Sequence, residues 1–147
     1  MTTESMNRAL LRNGALLFLL GLLTGLAAPA MTNPRAGLSA HLEGVLNGIF
    51  LLVVGALWSR LELPARVTTA AYWLLTYGTF VNWIGTLLSA VLGTSKATPI
   101  AGAGHAGAPW QESLVFAILG SVAVSMIVGT GLLIYGFGRK STAARLK

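Results

Sequence analysis

His41 and Glu43 stand two residues apart in an otherwise apolar stretch, and Asn47 follows one helical turn after Glu43. An imidazole can ligate a metal or carry a proton, a carboxyl can move a proton, and a carboxamide can orient a polar substrate. Farther along, Thr79, Asn82, Thr86 and Ser89 recur at helical spacing as a polar stripe, with Tyr77 and Trp83 beside it. His41-Leu-Glu43 spells the H-x-E of zinc deaminases, but that site needs a P-C-x-x-C partner, and the chain has no Cys. H-E-x-x-H, G-x-S-x-G and Walker patterns are absent. With no Asp and only His41 and His105 as imidazole bases, no hydrolytic triad can be assembled.

The elements that carry these residues are set by composition. Of 147 residues 54% are hydrophobic and only 10% charged, against about 25% charged in a soluble domain. That is too little charge to cover a water-facing surface, which excludes an ordinary soluble enzyme and a disordered chain. Long runs lack charge, and about 20 apolar residues cross a bilayer. The predicted spans are residues 10–28, 37–58, 67–92 and 113–137, an all-α four-transmembrane-helix bundle in a single domain. Pro64 fits a tight turn between spans two and three.

The net charge is +6, but the basic residues sit singly between apolar runs, which favours anchoring at a membrane surface over nucleic acid. Arg8, Arg12, Arg60, Arg66, Arg139, Lys140, Arg145 and Lys147 fall on one side, and Arg35 and Lys96 on the other. This asymmetry predicts both termini in the cytoplasm and a multi-pass protein of the inner membrane. The first span ends in Ala28-Pro-Ala30, which resembles a signal-peptide cleavage site; it is read as a retained span. The loop 93–112 contains Gly102-Ala-Gly104-His-Ala-Gly107, a formal G-x-G-x-x-G. No strand precedes it, so a dinucleotide site is rejected. A plain surface loop is expected, with a flexible lid or re-entrant segment as the other reading.

Small residues line the helices: Gly14, Gly21 and Gly25 in span one, Gly78, Gly85 and Ser89 in span three, Ser121, Ser125 and Gly129 in span four. They let backbones approach closely in lipid. Asn33 reads as an N-cap before Pro34 at the first helical position. His41 then lies roughly 10 Å along the second helix. Gly37, His41, Gly44, Gly48, Leu51 and Gly55 share one face. Two readings stand. The face admits a flat macrocycle with His41 on its metal, or it is a helix–helix contact with His41 hydrogen-bonded inside. Ionisable groups inside a membrane are costly and mark function, which makes Glu43 a candidate unless it reaches water near the interface. Asn47 orients a ligand or bonds between helices.

The stretch Asn33-Pro-Arg-Ala-Gly-Leu-Ser-Ala-His41-Leu-Glu-Gly-Val-Leu-Asn47-Gly48 resembles the hydroxylaminobenzene mutase family. So does Pro99-Ile-Ala-Gly-Ala-Gly-His-Ala-Gly-Ala-Pro-Trp-Gln-Glu112. The likeness covers most of the chain. That family is similar to styrene oxide isomerase, a small membrane enzyme with haem b, whose His and following Asn-Gly are matched by His41, Asn47 and Gly48, and whose third-span Asn is matched by Asn82. The resemblance implies His41 as the axial haem ligand and a homotrimer with haem between subunits. It departs from the isomerase at Gly78 and Thr86, where that pattern has Asp and Tyr. This favours an aryl hydroxylamine over an epoxide.

The expected function is conversion of aryl hydroxylamines such as hydroxylaminobenzene to 2-aminophenols, with haem iron as Lewis acid. Asn47, Asn82 and Glu43 are the expected catalytic residues. His41, Gly44 and Gly48 are the expected haem contacts. An epoxide-to-aldehyde isomerase and a non-catalytic membrane haem protein are the alternatives; a small transporter would be expected to show internal repeats.

Overall fold

The computed structural model describes residues 2–139, and Lys140, Arg145 and Lys147 of the charge count lie outside them. Four long helices form: α1 (Thr3–Ala27), α2 (Pro34–Leu57), α3 (Ala65–Leu92) and, after a one-turn helix α4 (Pro99–Gly102), α5 (Pro109–Gly138). All four long helices are long and apolar enough to cross a membrane. Among the described residues there is no strand. The protein is therefore an all-α, multi-pass membrane protein.

Each long helix begins two to seven residues before its predicted span, because polar first turns are helical without being hydrophobic. α1 starts at Thr3, where the Thr2 hydroxyl accepts from Ser5 N and Arg8 pairs with Glu4 one turn away. Asn33 caps α2 as expected, its Oδ1 accepting from Arg35 N and Ala36 N at 3.1 Å. α3 is closed by its C-cap Gly93, whose φ of +66° favours a residue without Cβ.

Each long helix packs against its neighbours in chain order, α1 on α2, α2 on α3 and α3 on α5. Glycines set the spacing. A Cβ on Gly14 would lie 2.8 Å from Gly48 O, and one on Gly21 would lie 2.5 Å from Val45 N. Gly37 meets Ala28, and Gly55 meets Leu10 and Leu11, so α1 and α2 run antiparallel in contact along their length. Gly78 against Met126, Gly85 against Leu119 and Gly129 against Leu75 join α3 to α5 in the same way. A core of Leu10, Leu17, Leu51, Trp58, Tyr72 and Leu75 fills the end toward the termini.

The loop 93–112 is tied down rather than draped. Asn33 Nδ2 donates to Ala101 O and Gly102 O at 3.0 Å, and Asn33 N donates to Ala90 O at 3.0 Å. On the far side the Glu112 carboxylate accepts from Ser95 N, Lys96 N and Gly107 N. The G-x-G-x-x-G is the turn that follows α4, with Ala103 and Gly104 at positive φ.

Candidate functional site

Every residue expected to do chemistry sits on α2 or α3, and α2 carries them on two flanks. Toward α3, Asn82 Nδ2 donates to Glu43 Oε2 at 2.6 Å, and Asn47 Nδ2 donates to the same oxygen at 3.2 Å. The three expected catalytic side chains thus meet at one atom. Asn47 is 9% exposed, while Glu43 and Asn82 are half-buried. The Asn47 bond stays within α2. Asn82 makes the bond between helices. No described hydrogen bond uses Glu43 Oε1.

The rest of the α3 polar stripe is buried and bonded to backbone carbonyls, as membrane burial of hydroxyls requires. Thr79 Oγ1 donates to Leu75 O, and Thr86 Oγ1 to Asn82 O. Ser89 bonds Thr94 O. Tyr77 points away from the cluster, 2.8 Å from Ser121 Oγ on α5. Trp83 is the aromatic that borders it. Its Nε1 donates to Thr24 Oγ1 on α1 at 3.1 Å, and its Cδ1 is 2.9 Å from where a Gly44 Cβ would be.

Toward α1, His41 Nδ1 is 2.8 Å from Gly21 O. A carbonyl only accepts, so Nδ1 carries the proton and the lone pair of the neutral ring is on Nε2. No described hydrogen bond reaches Nε2. This donor set fits a metal ligand, since ligating histidines characteristically give their other ring N–H to a carbonyl or carboxylate. His105 lies in the loop, its N bonded to Gly102 O. Among the described residues no group of three or more His, Asp or Glu could hold a metal ion by itself.

The glycines around His41 do not form an open seat for a macrocycle. A Cβ on Gly44 would be 2.5 Å from Gly21 Cα, and one on Gly48 would be 2.5 Å from Phe18 N. α1 packs on the face that carries Gly44 and Gly48, the two glycines expected as cofactor contacts. A glycine stripe serves close helix packing and a flat ligand equally well, so sequence alone does not separate them. The residues missed were Thr24, Gly21 and Gly25. The G-x-x-x-G of span one was visible, but not its use as a histidine partner.

The styrene oxide isomerase family profile matches residues 6–138. The chain belongs to that family. It is 46% identical to hydroxylaminobenzene mutase HabB of Ectopseudomonas oleovorans, over 98% of this chain and 87% of the relative. It is 42% identical to hydroxylaminobenzene mutase HabA of the same organism, over 91% of this chain and all of the relative. No solved structure gives a significant match. Membership of this family makes the protein an isomerase, as the resemblance implied.

Proposed function

We propose that this isomerase converts aryl hydroxylamines, hydroxylaminobenzene among them, to 2-aminophenols within the inner membrane, with haem b held by His41. The observation that carries the reading is the convergence of Asn47 and Asn82 on Oε2 of Glu43, in a chain closely similar to two hydroxylaminobenzene mutases. A haem on Nε2 of His41 would supply a Lewis-acidic iron that polarises the N–O bond.

The chain's own residues do the rest. In the isomerisation the N–O bond breaks with its electron pair on oxygen, and oxygen bonds the ortho carbon. The ortho proton leaves, and nitrogen gains one. Glu43 Oε1 takes the ortho proton and returns a proton to nitrogen. Asn47 and Asn82 fix the carboxyl by Oε2, and their own carboxamide oxygens orient the NHOH group. Trp83 walls the cluster toward α1 and helps keep water from the ring cation. Gly78 is filled by Met126 and Thr86 is bonded to its own helix, so neither supplies the acid that an epoxide would need there.

The two flanks of α2 support the assembly. At about 100° per residue, His41 and Glu43 lie roughly 200° apart round the helix. The side between them carries exposed Leu38, Leu42, Leu46, Ile49 and Val53. In the trimer we propose, this face meets a second copy, so that the His41 edge of one chain faces the Glu43 edge of the next. The purified protein should show a haem Soret band and form 2-aminophenol from hydroxylaminobenzene. His41→Ala should lose both and His105→Ala should keep both. Equal haem loss from the two substitutions, or turnover of styrene oxide but not hydroxylaminobenzene, overturns the reading.

A further inference from the structure

His41 belongs to α2, but what fixes its ring belongs to α1. A helical carbonyl keeps a second lone pair after accepting its own i+4 N–H. The side chain at i+4, tilted back toward the N-terminus, normally covers it. Four residues after Gly21 comes Gly25. The Gly21 carbonyl is therefore bare on that side, and His41 Nδ1 takes it at 2.8 Å. A Cβ on Gly25 would lie 2.7 Å from Nδ1 and 3.1 Å from both Cε1 and Cγ. All three nearest atoms are in the imidazole. At Gly21 all three nearest atoms, and at Gly14 the nearest two, are backbone of α2 instead. At position 25 the first thing a Cβ would meet is the ring.

We propose that Gly25 is a positioning residue for His41. By uncovering the Gly21 carbonyl it locks the ring as the Nδ1–H tautomer, presents Nε2 to the iron, and strengthens that nitrogen as a ligand. The proposal rests on the haem reading above. A hydrogen bond from Nδ1–H gives the ring imidazolate character, which strengthens the iron–histidine bond and lowers the iron reduction potential.

The test compares full-length Gly25→Ala with Gly14→Ala, a change as tight against α2 but about 16 Å farther along α1. Both should lower the melting temperature. Only Gly25→Ala should move the iron–histidine stretching band of the ferrous protein to lower frequency and make the reduction potential more positive. Equal shifts in both variants, or neither shift in Gly25→Ala, overturn the proposal. Should Gly25→Ala not fold, His41→Gly supplied with free imidazole serves. Imidazole can both ligate iron and donate to Gly21 O, whereas 1-methylimidazole can only ligate. Imidazole should restore the wild-type band, and 1-methylimidazole should give a lower one; identical bands overturn the proposal. Wild-type protein without haem refutes the haem reading itself, whereas wild-type haem with an unmoved Gly25→Ala spectrum refutes only this inference.

Discussion

Removing Asn82 separates proton handling from helix packing. Asn82 holds Glu43 Oε2 at 2.6 Å from across the α2–α3 contact, and Asn47 holds it at 3.2 Å from one turn along α2. Asn82→Ala leaves the carboxyl with the longer bond alone, anchored on its own helix and free to swing. A short bond to a carboxyl oxygen is worth about 1.5–3 kcal/mol, and an ordinary one about 0.5–1.5. Expressed wholly in the transition state, at 1.36 kcal/mol per tenfold, these give a loss of about 10- to 150-fold for Asn82→Ala and about 2- to 10-fold for Asn47→Ala. A bond that only ties membrane helices costs about 0.6 kcal/mol of stability and nothing in rate. The assay is the initial rate of 2-aminophenol formation per haem, with melting temperature measured in the same detergent. Asn82→Ala with a normal rate and a lowered melting temperature refutes the reasoning, as does a larger rate loss from Asn47→Ala. Combining Asn82→Ala with Glu43→Gln should cost less than the sum of the two single losses, because part of the Asn82 effect runs through that carboxyl.

Two further outcomes follow from the packing. Gly48→Ala should destabilise by about 1–3 kcal/mol, because its Cβ would meet backbone atoms of Phe18 and Gly14 that cannot turn aside. The loss should be the same in the haem-free His41→Ala background; a loss confined to the haem-loaded protein would return Gly48 to the cofactor site. For topology, a reporter active only outside the cytoplasm should stay silent after Lys147 and be active when inserted at Gly104, which is exposed with nothing packed near it. The reverse pattern would refute the cytoplasmic placement of the termini.

The spans were legible because burial of a backbone in lipid demands long charge-free runs, and these cannot be disguised. Their ends were less so. The first turns of α1 contain Glu4 and Arg8, which count against a span but favour a helix at i, i+4. The cluster was legible in part. Glu43 and Asn47 share a flank by spacing alone, while Asn82 entered through the α3 stripe and the resemblance, and the fold joins all three. His41's partner was not legible, because a backbone carbonyl has no residue type to read. The same holds for Glu112, whose partners are three backbone N–H groups of the loop, and for the second use of Asn33, which was read only as a cap.

The candidate side chains on α2 differ from the other polar groups in the hydrogen-bonding capacity they leave unspent. In a bilayer, polar side chains are satisfied within the protein or are kept for use. Thr24, Thr79 and Thr86 return their hydroxyls to their own helices, and Ser125 gives its hydroxyl to Leu74 O. Trp58 Nε1 and Thr76 Oγ1 lack partners among the described residues, but both are neutral and enclosed. The two ionisable side chains within the second span are each satisfied on one atom only. His41 is bonded at Nδ1 and leaves Nε2; Glu43 is bonded at Oε2 and leaves Oε1. In both cases the bond made fixes the direction of the atom left over. Each of these side chains flanks the exposed side of α2, where a ligand or a neighbouring copy can reach it. A histidine and a carboxylate kept only for packing would have no reason to be half satisfied, to be oriented by the half that is, or to stand at the two edges of the one face the other helices leave open.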